Sequence, residues 1–224
     1  MKPKELAKEL TRGAPSVSLS EKAYSLIKDA IISFRIKPGE PLIEAKIADQ
    51  INISRTPIRE SFKKLHNEGL IKIIPTKGAF VADIKREDIE ELFVLRAVLE
   101  CTALRIAISK INEQDLLNVE SLLNKAEMDI AAGDFKSSVV SDVELHGLII
   151  ERSGYSRLAQ FIDILKTQLL RVRYLGTTVT GRTKLSIQEH KAIVNAIRSK
   201  DFDSASDLLK THIRNVRDNV LHAL

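Results

Sequence analysis

Apolar residues recur every three or four positions at Leu19, Ala23, Leu26, Ile27, Ala30, Ile31 and Phe34. That spacing puts them on one face of a helix. Ahead of it, "SLSE" (18–21) fits a capping box, in which Ser18 accepts from a free first-turn N–H and Glu21 reaches back. "KPGEP" (37–41) ends the pattern, because Pro38 and Gly39 favour a turn. A second, short helix is expected from about Glu44 to Ile51. Ser54 caps a third, from Arg55 to about Glu68, with Pro57 in its first turn and Gly69 placed to stop it. "LIKII" (70–74) and "AFVA" (79–82) then read as strands joined through "PTKG", where Gly78 permits a positive φ. Three helices followed by a hairpin predict a winged helix-turn-helix with the hairpin as wing.

Beyond Ala82 the periodicity is helical throughout. Breaks at "SKINEQ", "AAGD", "SGYS", "GTTVTGRT" and "SKD" leave six helices, at about 88–109, 114–132, 134–152, 156–175, 184–199 and 201–222. Short connections favour antiparallel neighbours, hence a helical bundle. The expected fold is therefore mainly α. Residues 1–17 form a loose polar leader, 18–82 the winged helix-turn-helix, and 83–224 an all-α antiparallel bundle.

Charge changes this picture in one respect. Residues 1–82 hold 15 Lys and Arg against 9 Asp and Glu, whereas 83–224 hold 20 against 21. The basic excess lies wholly in the first third, which points that part toward a polyanion. Lys2, Lys4, Lys8 and Arg12 of the leader account for some of it. A single cysteine, Cys101, forbids an internal disulfide and fits a reducing cytoplasm. No apolar run is long enough to span a bilayer, and the N-terminus lacks the apolar core of a secretory signal. Without Trp and with 4% aromatics, the chain is not built to stack single-stranded bases.

In "SRTPIRESFKKLHNEGL" (54–70), Ile58, Phe62 and Leu65 share an inward face. Arg55, Thr56 and Arg59 lie toward the other face at the N-terminal end, and Lys63 continues that side. Amides and hydroxyls at a helix N-terminus bind phosphate, and an Arg fork matches guanine O6/N7. Solvated arginines, or pairs with Glu40 or Glu60, are the plainer alternative. The whole run "PGEPLIEAKIADQINISRTPIRESFKKLHNEGLIKIIPTKGAFV" resembles the DNA-binding domain of the GntR family of bacterial transcription regulators. The resemblance implies a homodimer on a palindromic operator in double-stranded DNA. It implies base reading by Arg55 and Arg59, backbone contacts from Ser54 and Thr56, and a wing turn at Lys77 and Gly78 near the minor groove.

The bundle carries a second constellation. Asp142 and His146 are spaced i, i+4 and leave one helix on the same face. His190 and His212 come from two further helices. Three imidazoles and a carboxylate can hold a divalent ion with positions left open. From spacing alone, a local Asp–His bond and separate half-buried histidines are the better account of these residues. "LFVLRAVLECTALRIA", "DVELHGLIIERSG" and "EHKAIVNAIRSKDFDSASDLLKTHI" resemble the FCD effector domain of the FadR subfamily, in its metal-containing form. Six helices favour the shorter, VanR-like branch. The resemblance implies metal ligation by Asp142, His146, His190 and His212, with Zn²⁺ favoured and Ni²⁺, Mn²⁺ or Fe²⁺ possible. It implies a small organic acid as effector, met by Arg96, with Glu100, Arg171 and Arg173 as further lining candidates. The expected function is a transcription regulator, commonly a repressor, in which effector binding alters the spacing of two DNA-reading heads. A metal sensor, and a metal-dependent enzyme fused to a DNA-binding head, are the competing readings; no general base for the enzyme is evident.

Overall fold

The computed structural model describes residues 18–224; the expected leader, 1–17, lies outside them. The described residues divide into two compact units after Ile84, close to the change in texture along the chain. The first unit contains α1 (Leu19–Ile32), β1 (Pro41–Leu42), α2 (Glu44–Ile51), α3 (Arg55–Asn67), β2 (Ile71–Ile74) and β3 (Gly78–Val81). Ile58, Phe62 and Leu65 of α3 are buried, as are Ala23, Ile27 and Ile31 of α1, the helix it packs against. At the start of α1, Ser18 accepts from the Glu21 N–H at 3.2 Å. The Glu21 carboxylate pairs instead with Lys64, so the capping box is only half made.

The wing has a strand that the pattern does not announce. The sheet order is β1-β3-β2, all antiparallel, with Leu42 opposite Ala79 and Ile73 opposite Ala79 on its other side. Two residues are too few to display the alternation by which a strand is recognised. At the hairpin tip the Lys77 N–H donates to Ile74 O at 3.1 Å. Thr76 takes φ 64° and Gly78 φ 99°.

Gly69 ends α3 through a Schellman motif: its own N–H reaches His66 O at 2.9 Å, and the Leu70 N–H reaches Leu65 O at 2.9 Å. Its φ is 70°, a region costing an L-residue roughly 1–2 kcal/mol. Gly69→Ala is therefore expected to destabilise the first unit by about 1 kcal/mol, measured by denaturant unfolding. An unchanged midpoint would show that the motif relaxes at no cost.

The second unit is six helices: α4 (Arg86–Ala107), α5 (Glu113–Ala131), α6 (Lys136–Ser153), α7 (Ser156–Gly176), α8 (Arg182–Arg198) and α9 (Phe202–His222). Helix α9 packs on α4 and α8, and α6 packs on α4 and α5. Leu104, Leu123, Leu145, Ile149, Val194 and Leu209 form the fully buried centre. Lys200 ties the α8–α9 turn to the end of α4 by donating to Ile108 O at 2.7 Å and Ile111 O at 2.5 Å. Among the described residues, no helix is long and apolar enough to cross a membrane.

Candidate metal centre and nucleic-acid interface

Three helices of the bundle aim their polar side chains at one point. Asp142 and His146 leave α6, His190 leaves α8 and His212 leaves α9; all four are buried, and each offers a donor atom within 4.8 Å of the others. Asp142 Oδ1 lies 3.7 Å from His146 Nε2, 3.5 Å from His190 Nε2 and 3.7 Å from His212 Nε2. The His190 and His212 Nε2 atoms are 3.1 Å apart. Ligands held at about 2.0–2.2 Å around a tetrahedral ion stand roughly 3.3–3.6 Å from one another, so the spacing fits a divalent cation at the focus.

Hydrogen bonding supports the same fit. His146 Nδ1 bonds Glu100 Oε2 at 2.5 Å, and His212 Nδ1 bonds Glu189 Oε2 at 2.7 Å. With Nδ1–H donating to a carboxylate, the Nε2 lone pair of each ring faces inward, the arrangement that orients metal-ligating histidines. His146 Nε2 and His190 Nδ1 are buried without a hydrogen-bond partner. A buried unsatisfied nitrogen costs about 1–3 kcal/mol; a cation at the focus would relieve that of His146.

Electrostatics keep Asp142, His146 and His190 in ligating form. Burial holds the His190 ring down to about 3 and lowers His146 as well, so both are neutral at neutral pH. Burial alone would raise the Glu100 carboxyl, but Arg96 and His146 outweigh it and hold it at about 2. For Asp142, burial is outweighed by Arg173, His146 and Arg96, which keep it well below the usual carboxylate range. Glu189, beside His212, Arg182 and Asn215, is likewise held at about 2.

A pH dependence follows for the metal-free protein. Unfolding returns His146 and His190 toward 6.5, so below that value the unfolded chain binds protons that the folded chain refuses. Stability is fully present above pH 6.5 and declines as pH falls toward 3. The depressed carboxylates add further loss below about 4.5, in the same direction. Thermal melts in chelator should give a lower Tm at pH 5.5 than at pH 7.5; a flat or rising Tm would contradict buried neutral rings.

Arginines surround the centre. Arg96, 1% exposed, donates from Nε to Glu100 Oε1 at 2.8 Å, and its NH2 group is 3.7 Å from Asp142 Oδ2. Arg173 bonds the same Asp142 oxygen through Nε. Both oxygens of Glu100 are thus engaged, by Arg96 and His146. Arg171 is buried but lines neither neighbouring cavity. Arg173 lines both: a small one of about 40 Å³ and a larger one of about 310 Å³ between α4, α6 and α7. Sequence reasoning overlooked Arg182, which is buried, borders the small cavity and pairs with Glu189. It is the first residue of α8, just after the N-cap Gly181; its i, i+7 spacing from Glu189 was the available signal.

In the first unit, Arg55, Arg59, Lys63, Lys77 and Gly78 line one cleft of about 560 Å³ between α3 and the wing. Ser54 is the N-cap of α3, but its side chain makes no capping bond. Thr56 is exposed in the first turn. Arg59 bonds neither Glu40 nor Glu60: its Nε donates to Glu44 Oε2 of α2 at 2.7 Å.

A winged helix-turn-helix joined to a six-helix bundle of this kind defines a DNA-binding transcription regulator. The model for bacterial regulatory proteins of the gntR family matches residues 19–81, and the FCD domain model matches 91–215. The chain belongs to the FCD-containing branch of the GntR family, whose members bind operator DNA. It is 26% identical over 206 residues, 92% of this chain and 90% of the relative, to the HTH-type transcriptional repressor RspR of Escherichia coli strain K12. The fold matches E. coli McbR/YncC with a TM-score of 0.75 at 22% identity, covering 92% of this chain and 98% of that one. It equally matches a GntR regulator from Rhodococcus sp. RHA1, with a TM-score of 0.75 at 23% identity, covering 93% and 100%.

Proposed function

We propose that this regulator is a homodimeric repressor whose hold on a palindromic operator is controlled by a small carboxylate bound beside a metal ion in the bundle. Arg55 and Arg59 read bases, Ser54 and Thr56 hold the backbone, and Lys77 and Gly78 bring the wing turn to the adjacent groove. Asp142, His146, His190 and His212 hold the ion, with Zn²⁺ favoured by three imidazoles. Glu100 and Glu189 orient His146 and His212. Arg173 supplies the cationic side facing an effector; Arg96 and Arg171, the other candidates, are buried and border neither cavity, and Arg96 acts through Glu100. When bound, the ion supplies a Lewis-acidic positive charge that a carboxylate can meet. Dimerisation is supported by the apolar side chains that α4 and α7 leave exposed, among them Val94, Val98, Phe161 and Ile164. Repression is supported by the relative of that activity.

The observation that carries effector control is the convergence of three imidazole Nε2 atoms on Asp142 Oδ1, beside a cavity that Arg173 lines. Operator affinity measured with and without a panel of carboxylates tests it. The expected result is release of DNA by at least one; unchanged affinity across the panel overturns the reading. Sensing of the ion itself is favoured by one observation: Arg96 and Arg173 are already paired with Glu100 and Asp142. In that case chelation alone switches operator binding.

A further inference from the structure

The two cavities that share Arg173 differ in what they can hold. About 15 Å³ of such space accommodates one water, so the 40 Å³ cavity is too small for an organic body. The other, at about 310 Å³, is roughly twice the size of an apolar cavity that binds benzene. Its walls are Val143, Ile150, Ile162 and Leu169; its buried polar lining is His146, Arg173 and Glu100, the last already neutralised by Arg96. Arg173 engages Asp142 through Nε alone; its two terminal amino groups make no hydrogen bond among the described residues.

We propose that this groove receives an apolar monocarboxylate, its charged end at Arg173 and its hydrocarbon body between α6 and α7. The proposal rests on the bundle being the effector domain and narrows the effector to one chemical class. Size comes from the volume and hydrophobicity from the walls. Single charge comes from the outer lining: Glu151 and Asp163 border the groove, and the nearest compensating group, Lys166, is 3.9 Å from Asp163 with both 70% exposed. A second carboxylate at the far end of a ligand would meet those acids and lose its hydration against apolar walls.

Gly147 gives the groove its clearance. It lines the cavity one residue after His146, and a Cβ built there meets nothing within 4 Å. A larger side chain enters open space rather than neighbouring atoms, and in mid-helix it also gains over glycine. Gly147 is exposed at the rim, so Gly147→Leu is chosen to narrow the groove's mouth while its Cβ clashes with nothing in the fold. Ala159→Leu, from the facing helix, fills the same space independently.

The test is calorimetric titration and thermal shift on the Zn²⁺-loaded full chain. The probes are isocaproate and phenylacetate on one side, succinate and citrate on the other. The expected result is binding of the monocarboxylates at least about tenfold tighter than the polyacids. A loss of at least about tenfold in monocarboxylate affinity is expected for Gly147→Leu and for Ala159→Leu, with metal content reporting that each variant is folded. Tighter binding of succinate or citrate overturns the monocarboxylate assignment but leaves carboxylate control standing. Full affinity in both filled variants overturns the groove assignment. Binding of none of the four overturns this inference; operator release by some other carboxylate would still preserve effector control.

Discussion

His190→Ala and His212→Ala are expected to abolish the bound divalent ion, which elemental analysis of the purified wild-type chain should find at one per molecule. Each substitution removes one of four donors on three helices, leaving three that need water to complete the sphere and hold the ion far more weakly. The same ion should stabilise the bundle. A ligand that binds only the native state adds about 4 kcal/mol at a thousandfold excess over its Kd. For a domain of this size that is a rise of roughly 8–16 °C in the bundle's transition. Truncating a buried ring also leaves a cavity, so absolute Tm values mix two effects. The clean readout is the difference between metal-loaded and chelated protein: large in the wild type, absent in both variants. Retention of the ion in both would sink the assignment.

Arg59→Ala is expected to weaken specific operator binding by about 1–3 kcal/mol per half-site, and by roughly twice that in a symmetric dimer. The Glu44 contact explains why the effect should be specific. A carboxylate at Nε fixes the guanidinium plane and leaves the two terminal amino groups as the fork that matches guanine O6 and N7. Arg59→Lys should therefore fail to rescue. Glu44→Ala should cost less on the operator and improve binding to random DNA, because it removes a negative charge from a phosphate-facing cleft. Competition titrations on operator and scrambled duplexes at several salt concentrations separate these outcomes. Equal losses for Arg59→Ala on both duplexes would reduce it to a backbone contact.

Much of this architecture was legible along the chain because it is built from strong periodic signals. Ile58, Phe62 and Leu65 announce the inward face of α3, and Gly69 its end. The i, i+4 pair Asp142 and His146 is readable as a shared face; that His190 and His212 meet it came from resemblance, since no spacing rule joins three separate helices. What escaped is what tertiary pairing creates. Strand β1 exists because Pro41 and Leu42 lie against β3. Arg182 matters because Glu189 sits two turns on. Glu44 as the partner of Arg59, in place of Glu40 or Glu60, depends on how α2 crosses α3, which pattern alone leaves open. Glu100, a lining candidate by sequence, has both oxygens committed to Arg96 and His146.

The buried groups around the four donors have one more consequence. Asp142, Glu100 and Glu189 are each matched by a guanidinium, from Arg173, Arg96 and Arg182. These three pairs cancel one another's charge, and they leave little net attraction for an incoming anion. A dication would tip the balance to a surplus of two positive charges inside a low-dielectric bundle. Anion affinity then becomes conditional on the ion, and by thermodynamic reciprocity the anion must tighten the ion in equal measure. In the regulator proposed above, such a core would couple the two ligands, so that operator binding responds most strongly when metal and acid are bound together.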